Sequence, residues 1–134
     1  MVHRDGWRPR INDSSAVPLY EQLVESVAFA IASRELAPGD PLPSVRSLAA
    51  DLRINPNTAA RAIREMEAKG LSRPVRGVGS VVADEARGAA APLARRAVLR
   101  ELDATIEVAR SLGLDLDETL ESLVERWKET SHAA

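Results

Sequence analysis

Leu42-Pro43-Ser44-Val45-Arg46, Asn55-Pro56-Asn57-Thr58 and Arg76-Gly77-Val78-Gly79-Ser80 follow one another within forty residues of the 134-residue chain. The first and second are helix starts. Ser44 and Asn55 are N-cap residue types, and Pro56 at the first helical position fixes φ where a missing N–H costs nothing. The third stretch is a glycine-tipped turn between two short apolar runs, Leu71 to Val75 and Ser80 to Ala83. Two closely spaced helices and a hairpin, in that order, predict a helix-turn-helix followed by a β wing. Gly70 sits where the second helix should stop.

At about 100° per residue, Asn57, Arg61, Arg64 and Ala68 fall within roughly 60° of one another on that second helix. Ala59, Ala62, Ile63 and Met66 occupy the opposite side, with Ile54 placed to staple against Ala59. One stripe is polar and cationic, the other suited to a core. Asn bonds an adenine edge at two points and Arg a guanine edge, so the polar stripe has the chemistry of a major-groove reader. A plain solvated helix face would carry similar residues, but the neighbouring motifs argue against it. Arg46 falls in the first turn behind Ser44, where a cation opposes the helix dipole and a nearby phosphate would remove the conflict. Gly77-x-Gly79 lacks the Gly-Lys-Ser/Thr continuation and strand-to-helix context of a nucleotide loop. A hairpin tip that lets the backbone approach a phosphate or minor groove fits better.

Taken with the helix end Glu65-Met66-Glu67-Ala68-Lys69-Gly70, these motifs resemble the winged helix-turn-helix of the GntR family of bacterial transcription regulators, over about residues 12 to 83. Asn55-Pro56-Asn57-Thr58 and the short C-terminal part resemble its YtrA subfamily in particular. The resemblance implies DNA contacts by Arg46, by Asn55, Asn57, Thr58 and Arg61 at the start of the recognition helix, and by Arg76, Gly77 and Gly79 in the wing; Arg64 joins them from the polar stripe. Two positions depart from the wider family, since Pro56 and Ala60 stand where other branches carry arginines, and Arg61 follows one residue later. Pro74 falls inside the first wing strand, where it donates no ladder bond. A short or bent wing is expected.

Charge is distributed to match. The net charge is −2. Residues 1–83 carry 11 Lys/Arg against 9 Asp/Glu and residues 84–134 carry 7 against 11, so the two parts have opposite signs. Between Arg53 and Arg76 six cations (Arg53, Arg61, Arg64, Lys69, Arg73, Arg76) face only Glu65 and Glu67. A local positive field is what phosphate binding needs.

Upstream, Arg8 to Asn12 should be extended, with Trp7 and Ile11 covering an edge of the domain or Trp7 meeting a partner. Pro18 opens a helix whose Leu19, Leu23, Val27 and Ile31 recur at i+4 as a buried stripe. Tyr20 and Phe29 are expected to pack. Ala37-Pro38-Gly39-Asp40 is a type II turn leading into Leu42.

Downstream, Asp84 to Pro92 loses periodicity and is expected to be a connector, although its alanines suit a helix. Val98, Leu102, Ile106, Ala109 and Leu112 then mark a helix face ending at Gly113. A last helix starts at Asp115, paired with Glu118 as a capping box, and carries Leu116, Leu120, Leu123, Val124 and Trp127. The expected organisation is a mainly α chain with a small β wing: a winged helix-turn-helix domain at 1–83, a linker at 84–92 and an α-helical hairpin at 93–134. Such a hairpin cannot close a core of its own. Its apolar residues, Val98, Leu102, Ile106, Leu120, Leu123, Val124 and Trp127, must fold back on the winged domain or pair with the same hairpin of a second chain about a twofold axis. The family resemblance favours the homodimer.

Other classes are disfavoured. The two histidines, His3 and His132, stand near opposite ends of the chain, so neither a His-based catalytic group nor a metal cluster is expected within one chain. There is no cysteine, hence no disulfide framework, in keeping with a cytoplasmic protein. Met1 to Gly6 holds no apolar targeting core, and the longest apolar run, Val27 to Ala32, is far too short for a membrane span. The expected protein is no enzyme, takes no cofactor, has double-stranded operator DNA and a second copy of itself as partners, and acts as a repressor. No effector is legible. The alternative is a protein-interaction adaptor that keeps a winged fold without specific DNA binding; the acidic C-terminal helices suit it and the cationic stripe does not.

Overall fold

A computed structural model describes residues 6–132; His3 and the rest of the first five residues lie outside them. The order is α1 (Leu19–Ala32), α2 (Val45–Leu52), α3 (Pro56–Ala68), β1 (Ser72–Val75), β2 (Gly79–Val82), α4 (Ala86–Ser111) and α5 (Leu116–His132). Two compact units divide within α4, the first ending at Ala97 and the second beginning at Val98.

In the first unit, Leu23, Val27 and Ile31 of α1 are buried as their i+4 spacing requires. They meet Ala59, Ala62 and Met66 of α3, Leu48 of α2, Leu71 and Val82 in one core. Small alanines on the inner face of α3 let it pack against both α1 and α2. Fully burying a side chain such as Leu23 contributes about 1.5–3 kcal/mol, so this core fixes where α3 lies.

The N-terminal segment is strapped to α1 and α2. Arg10 N–H donates to Ser26 Oγ at 3.0 Å, Asn12 N–H to Gln22 Oε1 at 2.7 Å, and Arg8 pairs with Asp51 at 3.0 Å. Trp7 lies in the core rather than on a partner-facing surface, and Ile11 packs beside it. Phe29 departs from the packing role expected of it: it is 52% exposed, on the side of α1 left over once the i+4 stripe faces inward.

β1 and β2 pair antiparallel, with Ser72 opposite Val82 and Pro74 opposite Ser80. The segment before α2 lies along the other edge of β2: Leu42 N–H donates to Ser80 O, Val82 N–H to Asp40 O and Gly39 N–H to Val82 O. Ala83 N–H donates to Leu71 O. Alternation from that bond makes Leu71, Arg73 and Val75 the hydrogen-bonded positions of β1, and leaves Pro74 in a non-hydrogen-bonded pair. Its missing N–H would point away from β2. The wing is short, as expected, and the proline interrupts nothing.

The connector expected at 84–92 is helical from Ala86 onward, and α4 runs through Pro92. Ala86, Ala90 and Ala94 recur at i+4 and all are buried, the first two against the core of the first unit. Alanine has too little hydrophobic contrast to display that period in the sequence. Burial of the stripe offsets the roughly 3 kcal/mol that an interior proline costs a helix.

The second unit is the remainder of α4, a turn and α5. Gly113 N–H donates to Arg110 O and Leu114 N–H to Ala109 O, a Schellman closure at the expected stop. Asp115 Oδ1 then accepts from Glu118 N–H at 2.8 Å and starts α5.

Candidate nucleic-acid interface

α2 begins at Ser44, whose Oγ accepts from Ser47 N–H at 3.0 Å. Arg46, in the first turn behind it, is exposed as expected. α2 ends at Arg53 with φ +54°, a left-handed residue the sequence does not signal because it is not glycine. Ile54 N–H returns to Ala49 O, and the chain enters α3 two residues later.

At the start of α3 Asn55 Oδ1 accepts from Asn57 N–H at 2.8 Å, with Pro56 at the first helical position. The cap occupies the Asn55 oxygen and leaves its NH₂ as donor. Two-point bonding to an adenine edge, which needs both groups, therefore falls to Asn57. Asn57, Arg61, Arg64 and Ala68 are exposed, Thr58 is half-buried, and Ala59, Ala62 and Met66 lie beneath them. The helix ends in a second Schellman motif, with Gly70 N–H donating to Glu67 O and Leu71 N–H to Met66 O. α3 is thus closed at both ends and seated on its apolar side, and its polar stripe faces outward.

The wing turn carries Arg76, Gly77, Val78 and Gly79, all exposed. Gly79 has φ +111° and no atom within 4 Å of where a Cβ would stand. Glycine is required there by backbone conformation rather than by crowding. Val78, 65% exposed at the tip, is an apolar contact candidate that the sequence reading passed over. Between wing and helices lies an open groove of about 560 Å³ lined by residues of α2, α3 and the wing, Ser44, Ile63, Arg76 and Ser80 among them. Neither Ser44 nor Ser80 was a candidate at the sequence level.

Among the described residues Arg46, Arg53, Arg64 and Arg76 make no ion pair, whereas Lys69 lies 4.0 Å from Glu65 and Arg73 3.9 Å from Asp84. These four guanidiniums stand on α2, in the turn after it, on the α3 stripe and at the wing tip. Free cations on the helix-turn-helix and wing are what contact with a polyanion requires. Arg61 lies 3.8 Å over the ring of Tyr20.

Residues 19–82 match the model of the gntR family of bacterial regulatory proteins. The chain is 34% identical over 109 residues to the uncharacterized HTH-type transcriptional regulator YhcF of Bacillus subtilis, covering 81% of this chain and 89% of that one. It is 30% identical over 116 residues to the HTH-type transcriptional repressor YtrA of the same organism, covering 87% and 89%. The chain belongs to the GntR family. A GntR family transcriptional regulator from Listeria monocytogenes superposes with a TM-score of 0.62 at 27% identity, over 86% of this chain and 98% of that one. The chain therefore shares its winged helix-turn-helix and helical C-terminal part with a solved GntR-family regulator. This GntR-family chain is a DNA-binding transcriptional regulator, and the adaptor alternative falls away. No helix among the described residues is long and apolar enough to cross a membrane.

Proposed function

We propose that the protein is a homodimeric repressor that reads an inverted-repeat operator with α3 and clamps the flanking backbone with α2 and the wing. The observation that carries this reading is the exposed stripe of Asn57, Arg61 and Arg64 on a helix capped at both ends. In this reading Asn57 and Arg61 bond base edges, and Arg64 lies along the same groove. Asn55 and Thr58 bond the backbone at the helix start, Arg46 holds a phosphate at the start of α2, and Arg76 with Gly77 and Gly79 brings the wing to the sugar-phosphate surface.

The twofold rests on the second unit. Val98, Leu102, Ile106, Leu120, Leu123 and Val124 are between 39% and 49% exposed in the single chain, and Trp127 is 73% exposed. So many large apolar side chains left open in one helical hairpin suit an interaction surface, and pairing two copies would bury them. Two recognition helices held about one DNA turn apart read a palindrome that one helix could not. Similarity to a transcriptional repressor over most of both chains favours repression. A cytoplasmic, non-catalytic protein fits the family's role.

Fluorescence anisotropy on a duplex selected from random sequence tests the assignment. Arg61→Ala should cost about 1–3 kcal/mol and relax base preference at the position it reads, while Arg46→Ala should weaken all sequences alike. With about four phosphates neutralised per protomer, log K should fall against log salt with a slope near −7. An Arg61→Ala protein unchanged in both affinity and preference would contradict the base-reading role. A monomer at tens of micromolar in sedimentation equilibrium would contradict the twofold.

A further inference from the structure

Arg61, a cation of the α3 stripe, touches a second element. Its guanidinium carbon lies 3.8 Å from the centre of the Tyr20 ring, the second residue of α1. Tyr20 is half-buried against the core, and its O–H donates to Glu21 Oε1 at 3.2 Å. Both anchors hold the ring in place beneath the arginine.

We infer that Tyr20 is a positioning residue for DNA recognition: its ring supports one face of the Arg61 guanidinium and aims the in-plane N–H edge at the groove. This rests on the base-reading role proposed for Arg61. A guanidinium stacked on an aromatic face keeps its edge donors free, so the stack does not compete with a two-point bond to guanine. A free Arg side chain loses rotamer entropy when it binds. Here part of that ordering precedes DNA. Nothing in the sequence ties Tyr20 to Arg61, forty-one residues apart; only the packing of α1 against α3 brings them together.

The test measures affinity for the selected duplex and for each single-base variant of it, with Tyr20→Phe, Tyr20→Leu, Arg61→Ala and the Tyr20→Leu/Arg61→Ala double variant. Tyr20→Phe keeps the ring and should bind within twofold of the parent. Tyr20→Leu should bind about three- to tenfold more weakly, and lose preference only at the base pair whose discrimination Arg61→Ala abolishes. In the Arg61→Ala background it should add nothing. Should Leu prevent folding, seen as loss of the cooperative circular-dichroism melt, Tyr20→Met fills the space without a ring face and gives the same reading.

An equal loss from Tyr20→Leu in both backgrounds would make Tyr20 a structural residue and overturn the inference. Unchanged binding would do the same, and tighter binding would show that the ring holds Arg61 away from DNA. Those three results leave the Arg61 assignment standing if Arg61→Ala still costs affinity and preference. A neutral Arg61→Ala overturns both.

Discussion

α3 and α5 both start on a side-chain cap, Asn55 and Asp115, and both carry an apolar stripe along one face. In α3 the stripe is Ala59, Ala62 and Met66, all buried; in α5 it is Leu120, Leu123, Val124 and Trp127, all exposed. Small residues seat α3 closely on α1 and α2 and turn its polar side outward. Large residues leave α5 with surface that two helices of one chain do not cover. The first unit holds a complete core and presents a charged stripe, while the second presents its own core residues. In the functional reading, one stripe is satisfied by DNA and the other by a second copy.

The comparison is broken most severely by charging the exposed apolar residues of the second unit, on α4 as well as α5. Leu102→Asp combined with Leu123→Asp removes two large contacts from the proposed dimer, each contributing about 1.5–3 kcal/mol. Sedimentation equilibrium should show a monomer while the first unit keeps its thermal transition; a dimer of unchanged strength would place the interface elsewhere. Cutting into the first stripe's support should act oppositely. Leu23→Ala, under the α3 seat, should cost about 2–5 kcal/mol of stability, read by denaturant titration. Loss confined to association would contradict the division of roles.

Smaller changes sharpen the comparison. Pro92→Ala restores a helical N–H within α4, where an interior proline costs about 3 kcal/mol and returns less than 1 kcal/mol through the unfolded chain. The protein should gain about 2 kcal/mol, and a lower melting temperature would mean that the helix does not run through residue 92. Ser44→Ala leaves the Ser47 N–H without its cap and should cost about 1 kcal/mol; no change would show that the start of α2 is held by packing alone.

The parts legible in sequence are those fixed by local chemistry. Ser44, Asn55, Gly70, Gly113 and Asp115 mark helix ends because caps and closures involve neighbours a few residues apart. The stripes of α1 and α3, whose members recur every three or four residues, show for the same reason. Residues 86–92 were opaque because an alanine stripe looks aperiodic beside a glycine and a proline, and only burial against the core reveals it. Phe29 is exposed against expectation because one aromatic at a helix position does not say which face the core will take. The support of Arg61 by Tyr20 and the groove that brings Ser44 near Ser80 depend on contacts far apart in the chain, which no local pattern encodes.

Dimethyl sulfate interference on the selected operator tests base reading by the α3 stripe most directly, because methylation blocks the N7 edge of guanine in the major groove. Base reading by α3 predicts two clusters of interfering guanines about 10 base pairs apart, with one guanine in each losing its effect in Arg61→Ala. Interference absent from the major groove, or identical in the parent and Arg61→Ala, would contradict it.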